Sequence, residues 1–193
     1  MFIQTEQTPN PATLKFLPGR AVLGDGGTAD FAGAEEAKDR SPLAEALFDV
    51  DGVTGVFLGA DFISVSKSDD TEWYVLKPSV LGAIMQHFTA GRDVMTGGAA
   101  EGASAGGEEP ARYAEEDAEI VGQIKELLET RVRPAVAQDG GDIIFHGFEQ
   151  GVVYLSMRGA CAGCPSSTAT LKMGIENMLR HYIPEVTEVR AAG

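Results

Sequence analysis

The feature that most limits the possible folds is a stretch near the middle of the chain with no apolar side chain larger than alanine. Residues 96–110 read TGGAAEGASAGGEEP, with five glycines, four alanines and three glutamates. Such a stretch cannot bury enough apolar surface to offset the entropy lost on ordering. The sequence therefore predicts a flexible linker, residues 93–112 in all, between two small domains, residues 1–92 and 113–193.

The charge of the chain argues against two classes of partner. The 193 residues carry a net charge of −14. Affinity for nucleic acid comes largely from lysine and arginine side chains that neutralise phosphates, and anionic membranes attract the same residues. Neither a nucleic acid nor a membrane is therefore expected to be a partner. The start of the chain lacks the regions of a secretory signal, and two cysteines cannot form a disulfide framework. These observations predict a cytoplasmic protein.

The first half predicts a small α+β domain. Two strands are predicted over FIQTEQ and ATLKFL with a turn at TPNP, and a hairpin is predicted over GVTGVFL and FISVSK. The segment SPLAEALFDV predicts a helix with Ser41 as N-cap and Pro42 at its first position. A second helix is predicted over KPSVLGAIMQHF, with Val80 and Phe88 on its apolar face. His87 lies beside that face, and we expect a satisfied histidine at the surface or at the core edge rather than a metal ligand.

The second half predicts elements in the order α-β-β-α-β. An amphipathic helix is predicted over AEEDAEIVGQIKELLETRVRPAV, kinked or ended near Arg133 by Pro134. A turn at QDGGD is followed by two strands over GDIIFHGF and GVVYLSMRG, a helix from about Pro165 to His181, and a final strand over PEVTEVRA. The predicted fold class is therefore α+β, with two small α+β domains joined by a flexible linker rich in glycine, alanine and glutamate.

Both cysteines of the chain lie between the second of these strands and the helix that follows. Cys161 and Cys164 have the spacing C-x-x-C, which indicates metal binding or thiol redox chemistry. We expect the free N–H groups and the dipole of the following helix to lower the pKa of both thiols. These two residues are the candidate cofactor-binding and metal-ligating residues. No nucleophile–base pair, paired carboxylates or nucleotide fingerprint is visible, so no catalytic residue is assigned and the chain is not expected to be an enzyme.

The residues alone leave four interpretations of the cysteine pair. The cysteines are structural, or they form a thioredoxin-like dithiol, although that motif is typical of a βαβ unit, which is not the predicted order. A mononuclear zinc site needs two further ligands from the same chain. His146 and His181 are expected to lie too far away, and Asp139 or Asp142 would be unusual beside two thiolates. In the fourth interpretation a second copy of the chain supplies the missing thiolates, since iron–sulfur clusters use four.

Motifs in both halves resemble one family. The segment from Asp139 to Ile175 contains DGGDI and then V-x-L-x-M-x-G-A-C-x-G-C-P-S-S-T-x-T-L-K. These motifs closely resemble the NifU-like C-terminal domain of the Nfu-type iron–sulfur proteins. The first half is similar to the Nfu N-terminal domain through TPNPATLKFLPG, GTADF, SPLAEALFDVDGVTGVFLGADFISVSK and W-Y-V-LKP.

The resemblance implies a scaffold or carrier of iron–sulfur clusters. Such a protein would bind a [4Fe–4S] cluster at the interface of a homodimer, with a [2Fe–2S] cluster as the other type, and Cys161 and Cys164 would be the ligands. It would take the cluster from upstream cluster-assembly proteins and pass it to apo iron–sulfur target proteins. The first domain is implied to recruit targets or donors. The alternative from a different class is a thiol–disulfide oxidoreductase that uses the same two cysteines.

Overall fold

The computed structural model describes residues 1–24, 27–96, 112–162 and 165–192, with side chains in the last range from Thr168 onward. The chain divides into two compact units, Met1–Gly106 and Gly107–Gly193. Each unit combines helices with its own sheet, which confirms the predicted α+β fold class with two small domains. Most of the predicted linker, residues 97–111, lies outside the described residues. At its edges, Val94 and Met95 pack against the first core and Arg112 pairs with Gly147.

The first unit is built on a five-stranded antiparallel sheet of order β1-β2-β5-β4-β3. Its strands are β1 (Gln4–Gln7), β2 (Thr13–Leu17), β3 (Ala29–Phe31), β4 (Val53–Leu58) and β5 (Ile63–Lys67). The pairs β1–β2 and β4–β5 are the predicted strand pairs. At the predicted TPNP turn, the side-chain oxygen of Asn10 accepts a hydrogen bond from the Ala12 N–H at 3.0 Å. The sequence analysis missed β3, because three residues are too few to show an alternating pattern.

Three helices accompany this sheet: α1 (Ala34–Ala37), α2 (Pro42–Phe48) and α3 (Trp73–Thr89). The Ser41 hydroxyl oxygen accepts a hydrogen bond from the Ala44 N–H at 3.1 Å, which confirms the predicted N-cap of α2. The helix α3 begins at Trp73, before the predicted start, and contains Pro78 in its interior. Pro78 lies on the exposed side of α3. A proline has no N–H to donate to the carbonyl four residues earlier, and on this side water can hydrogen-bond to that carbonyl instead.

The core of the first unit confirms the predicted apolar face of α3 but not the prediction for its histidine. Val80 is fully buried and Phe88 is 7% exposed. The His87 side chain is only 2% exposed, and neither of its ring nitrogens has a hydrogen-bond partner among the described residues. Its ring lies edge-on to the Phe88 ring, with centroids 5.4 Å apart. The prediction of a satisfied histidine is therefore wrong, because the ring is buried against Phe88, with Arg92 and Asp93 nearby, and neither ring nitrogen has a side-chain partner among the described residues.

The second unit is a three-stranded sheet of order β6-β7-β8 with three helices. Its strands are β6 (Gly141–Glu149), β7 (Val152–Gly159) and β8 (Glu188–Ala191), and its helices are α4 (Ala118–Leu127), α5 (Arg133–Gln138) and α6 (Pro165–Tyr182). The pair β6–β7 is antiparallel and β7–β8 is parallel, with α6 in the connection. The order α-β-β-α-β is confirmed. Within the described ranges, every helix is too short or too polar to cross a membrane.

The long helix of the second unit is interrupted, not ended, near the position that the sequence predicts for a kink or an end. Between α4 and α5 lies a π turn, Leu128–Val132, in which the Arg133 N–H donates to the Leu128 carbonyl five residues earlier. Pro134 then occupies the first turn of α5, and helical structure continues to Gln138. The wider π turn accommodates a proline that would otherwise clash with the preceding turn. The helix therefore reaches the start of β6, next to the cysteine loop.

Candidate functional site

The first cysteine lies directly after β7. The chain turns at Gly159, whose φ is +65°, and Cys161 follows in a short loop before α6. Its side chain is 6% exposed and belongs to the core of the second unit. Cys164, the second predicted ligand, lies outside the described residues. The structure therefore positions one of the two predicted site residues.

Two consecutive glycines form the surface against which Cys161 packs. Gly140 has a φ of +77°, and its carbonyl accepts a hydrogen bond from the Ala160 N–H at 3.1 Å. Gly141 opens β6 opposite Gly159. A Cβ atom on Gly141 would lie 2.7 Å from the Cys161 Sγ and 2.6 Å from the Arg158 carbonyl oxygen. The strand backbone thus passes directly beside the sulfur, and only glycine leaves room for it there.

A threonine connects the cysteine loop to the helix that follows. The Thr168 hydroxyl, in the first turn of α6, donates a hydrogen bond to the Cys161 carbonyl oxygen at 3.0 Å. This bond holds the backbone of Cys161 relative to the start of α6. Cys161 is therefore fixed from two sides, by the glycines on the strand side and by Thr168 on the helix side.

A buried ion pair lies one residue beyond the glycines. Asp142 is 3% exposed, and its two carboxylate oxygens accept hydrogen bonds from Arg133 Nε at 2.9 Å and Nη2 at 2.8 Å. The same guanidinium donates to Glu129 through Nη1 at 2.7 Å. This bidentate geometry is the strong form of an arginine–carboxylate pair. The Asp142 carboxylate is engaged in connecting α5 to β6, so it is not an available metal ligand.

The electrostatic surroundings of Cys161 contradict the predicted direction of its pKa. Burial, followed by the nearby carboxylates of Asp139 and Asp142, raises the pKa of the Cys161 thiol to about 11. The sequence analysis expected the helix dipole to lower it, but the sulfur is packed in a core beside two acids instead of facing solvent. At neutral pH, Cys161 is therefore a neutral thiol. Cys161 itself is therefore poorly suited to be the attacking thiolate of a thiol–disulfide oxidoreductase.

One of the two histidines considered as further metal ligands lies in β6. His146 occupies a bulge there, between Phe145, which pairs with Leu155, and Gly147, which pairs with Tyr154. Its Nε2 atom is hydrogen-bonded to the Ser156 hydroxyl at 2.8 Å. Across the part of the chain that the structure describes, no three histidine, cysteine, aspartate or glutamate side chains group closely enough to hold a metal ion.

Sequence reasoning missed the residues that support Cys161. The predicted strand over GDIIFHGF does begin at Gly141, but the sequence analysis gave this glycine no part in making room for the sulfur. Two adjacent glycines before an apolar strand are a signal for close backbone approach. Arg133 was considered only as the end of a helix, and no local pattern indicates its pairing with Asp142 nine residues later.

Comparison with known proteins gives matches in both halves of the chain. The family model described as "Scaffold protein Nfu/NifU N terminal" matches residues 3–91, and the model "NifU-like domain" matches residues 124–190. The chain is 52% identical over 189 residues to "NFU1 iron-sulfur cluster scaffold homolog, mitochondrial" of Drosophila sechellia, covering 98% of this chain and 64% of the relative. It is 50% identical over 191 residues to "NifU-like protein 4, mitochondrial" of Arabidopsis thaliana, covering 98% and 65%. The chain thus spans just under two thirds of these relatives.

A solved structure is similar to one part of the chain. The solution structure of a NifU-like protein from Saccharomyces cerevisiae is 27% identical, with a TM-score of 0.45, and the match covers 50% of this chain and 85% of that one.

The names of the relatives also correct one prediction. The sequence analysis expected a cytoplasmic protein, whereas the relatives from fly and plant are named mitochondrial. The cytoplasmic prediction is therefore wrong. It depended on the lack of a recognisable leader at the start of the chain, and such a lack carries no information about the compartment.

Proposed function

Because this chain belongs to the Nfu/NifU-like family of iron–sulfur cluster scaffold proteins, we propose that it carries a [4Fe–4S] cluster between two copies of itself and delivers it to apo-proteins. The proposed ligands are Cys161 and Cys164 of each copy, and a [2Fe–2S] cluster is the other cargo that four thiolates suit. One observation carries the proposal. The only two cysteines of the chain stand at C-x-x-C spacing inside the region that matches the NifU-like domain.

The proposal of a shared cluster is supported by the side chains of the second unit that could otherwise complete a metal site. Asp142 is engaged by Arg133, and His146 is hydrogen-bonded to Ser156. These side chains would have to give up existing partners to bind iron. A two-fold axis through the cysteine loops brings two C-x-x-C pairs together and supplies four thiolates without them. The protein is then a homodimer when it holds a cluster.

The surroundings of Cys161 also suit release of the cargo. When thiolates of a target replace those of the carrier on iron, the Cys161 thiolate leaves the metal and takes up a proton, while the target thiol has given one up. Burial and the carboxylates of Asp139 and Asp142 favour the neutral thiol in the empty carrier. The same features oppose attack of an empty carrier on disulfides. The proposed role is carriage of the cluster by ligand exchange.

The first unit is proposed to recruit target proteins or upstream cluster-assembly proteins. In this proposal residues 1–92 form the recruiting domain and residues 113–193 the cluster domain. Residues 93–112 connect them, and the first residues of this connection, Val94 and Met95, stay packed on the first core. A glycine-rich coil of about 15 residues has an r.m.s. span of roughly 20 Å. A target held by the first domain would thus stay at high effective concentration near the cluster.

Cysteine substitution in the full chain tests the proposed ligands. Cys161→Ser or Cys164→Ser should abolish stable cluster binding after anaerobic reconstitution, because each removes two of the dimer's four thiolates. Ser79→Ala, at an exposed position of α3, serves as a control that should reconstitute normally. Iron content, absorption near 400 nm and far-UV circular dichroism are measured together. Full iron content in either cysteine variant would contradict the assignment, whereas a colourless wild type with a reversible disulfide would favour the oxidoreductase.

Delivery is tested by comparing the full chain with residues 113–193 alone. Transfer of the cluster to an apo-enzyme should be slower without the first unit at low protein concentration, and the difference should shrink at high concentration. Equal rates at all concentrations would remove the recruiting role from the first unit. Failure of the shorter chain to hold iron would instead contradict the domain assignment.

A further inference from the structure

The first unit contains a cavity of about 420 Å³ whose walls are held in place by backbone and side-chain hydrogen bonds. On one side, the Val22 and Leu23 N–H groups donate to the carbonyls of residues 60 and 59 at 2.8 and 3.2 Å. On the other side, α3 ends at Thr89, and Gly91, with a φ of +64°, lies in the turn that follows the helix. The Ser41 hydroxyl then donates to the Val94 carbonyl at 2.7 Å. The cavity is therefore a feature of the folded unit rather than a gap between loose loops.

Two arginines without carboxylate partners line this cavity. Arg20 and Arg92 are exposed lining residues, and neither forms an ion pair or a side-chain hydrogen bond with any residue that the structure describes. The Arg20 guanidinium lies over the Phe88 ring, 5.0 Å from its centroid, which orients the donor fork. In a chain with a net charge of −14, two unpaired guanidiniums in one cavity concentrate positive charge where an anion can reach it.

The remaining lining defines the kind of anion. Val22, Leu23 and Phe88 provide apolar wall, and Asp93 adds one carboxylate. Two guanidiniums and one carboxylate leave a formal charge of +1, which favours a monoanion over a phosphate dianion. The guanidinium fork matches a carboxylate in a bidentate geometry. Asp93 offers an acceptor for an N–H group, and the volume is at the lower end of the range for small ligands.

From this arrangement we propose that the cavity binds the C-terminal carboxylate of a peptide whose last side chain is apolar. The carboxylate would bind Arg20 and Arg92, the last backbone N–H would donate to Asp93, and the side chain would pack on Val22 and Phe88. Such a site would serve the recruitment proposed for the first unit. Peptide binding to this cavity is measured without a cluster. Failure of peptide binding and failure of the proposed cluster delivery can therefore be distinguished.

A buried histidine provides a local reporter for the test. The His87 ring contacts the Phe88 ring that forms part of the cavity wall. The chain contains three histidines, and the other two, His146 and His181, belong to the second unit. The His87 ring resonances in NMR spectra of the full apo chain should therefore shift when the cavity is filled, while those of His146 serve as an internal control.

The experiment titrates the full apo chain with N-acetyl-Gly-Leu and, separately, with its C-terminal amide. At about 10 mM a ligand with a Kd of about 1 mM is close to saturation. We expect the free acid to shift the His87 resonances and the amide to bind about tenfold more weakly, because it lacks the charge-assisted hydrogen bonds. Arg20→Gln and Arg92→Gln should each weaken binding about five- to tenfold. Lys38→Gln, which removes the same charge at an exposed position elsewhere in the unit, should not.

Several outcomes would overturn the proposal. They are the absence of a shift with the free acid, equal binding of acid and amide, or unchanged affinity in both arginine variants. Stronger binding of inorganic phosphate would assign the cavity to dianions, and stronger binding of octanoate would assign it to free fatty acids. Unfolding followed by tryptophan fluorescence, from Trp73 in the first unit, confirms that each variant is folded.

Discussion

Replacement of Gly141 by alanine should damage the second unit and the position of Cys161 together. The new Cβ atom would lie 2.6 Å from the Arg158 carbonyl oxygen and 2.7 Å from the Cys161 Sγ, short of the ordinary contact of 3.4 Å by 0.8 and 0.7 Å. The Arg158 oxygen belongs to the backbone of β7 and cannot swing away like a side chain. The substitution must therefore separate the start of β6 from the cysteine loop.

The expected cost follows from two opposing effects. Overpacking of this kind costs about 1–3 kcal/mol, while replacing glycine reduces the entropy of the unfolded chain and returns about 0.5–1 kcal/mol. We expect a net loss of about 1–2 kcal/mol from the free energy of unfolding of the second unit. A displacement near 0.7 Å also exceeds the tolerance of about 0.5 Å for a functional constellation. Cluster retention should therefore fall by more than the loss of stability explains.

Denaturant unfolding of the full chain separates the two units. The only tryptophan is Trp73, so its fluorescence reports the first unit and should be unchanged, whereas far-UV circular dichroism should show the second unit unfolding at lower denaturant. The matched control is Gly122→Ala in α4, where a Cβ atom meets nothing within 4 Å. This control should stabilise the second unit by about 0.5–1 kcal/mol. Wild-type stability and iron retention in Gly141→Ala would refute the reasoning.

Three further predictions concern single side chains. Ser41→Ala should lower the free energy of unfolding of the first unit by about 1–2 kcal/mol, because it removes the N-cap of α2. Unfolding is followed by tryptophan fluorescence, and a decrease no larger than that of Ser79→Ala would contradict this prediction. Burial lowers the pKa of His87, so the unfolded state binds a proton on this ring more tightly than the folded state does. As the pH falls below about 6.5, the wild type should therefore lose free energy of unfolding relative to His87→Leu, and a difference that does not change with pH would contradict this. In the apo Cys164→Ser variant, alkylation of Cys161 should accelerate about tenfold per pH unit beyond pH 9, because its pKa is about 11; a plateau near pH 8.5 would contradict this.

The elements of this fold were predictable where local chemistry determines them. The N-cap at Ser41 needs only a hydroxyl before a proline-initiated helix, and the β4–β5 hairpin shows its apolar strands on either side of a short turn. The π turn before Pro134 was not predictable, because a proline in a helical pattern indicates an end or a kink equally well. Whether the helix ends, kinks or forms a π turn depends on tertiary packing against β6, which the local sequence does not show.

The ligand hypothesis for the candidate site came from the sequence, whereas the surroundings of Cys161 could not be predicted. The spacing of Cys161 and Cys164 is a local feature, so the ligand hypothesis needed only the sequence. The pKa of Cys161 is raised first by burial and then by Asp139 and Asp142, which lie about 20 residues earlier in the chain. Both the burial and the approach of these carboxylates follow from the pairing of β6 with β7. The isolation of His87 likewise follows from the packing of α3 and not from its periodicity.

Native mass spectrometry of the anaerobically reconstituted full chain tests the central claim most directly. The account predicts a species that contains two chains, four iron atoms and four sulfides, together with apo chains that remain mainly monomeric because each carries a net charge of −14. A cluster bound to a single chain would contradict the shared site. A dimer that forms equally well without iron would contradict the claim that the cluster holds the two chains together.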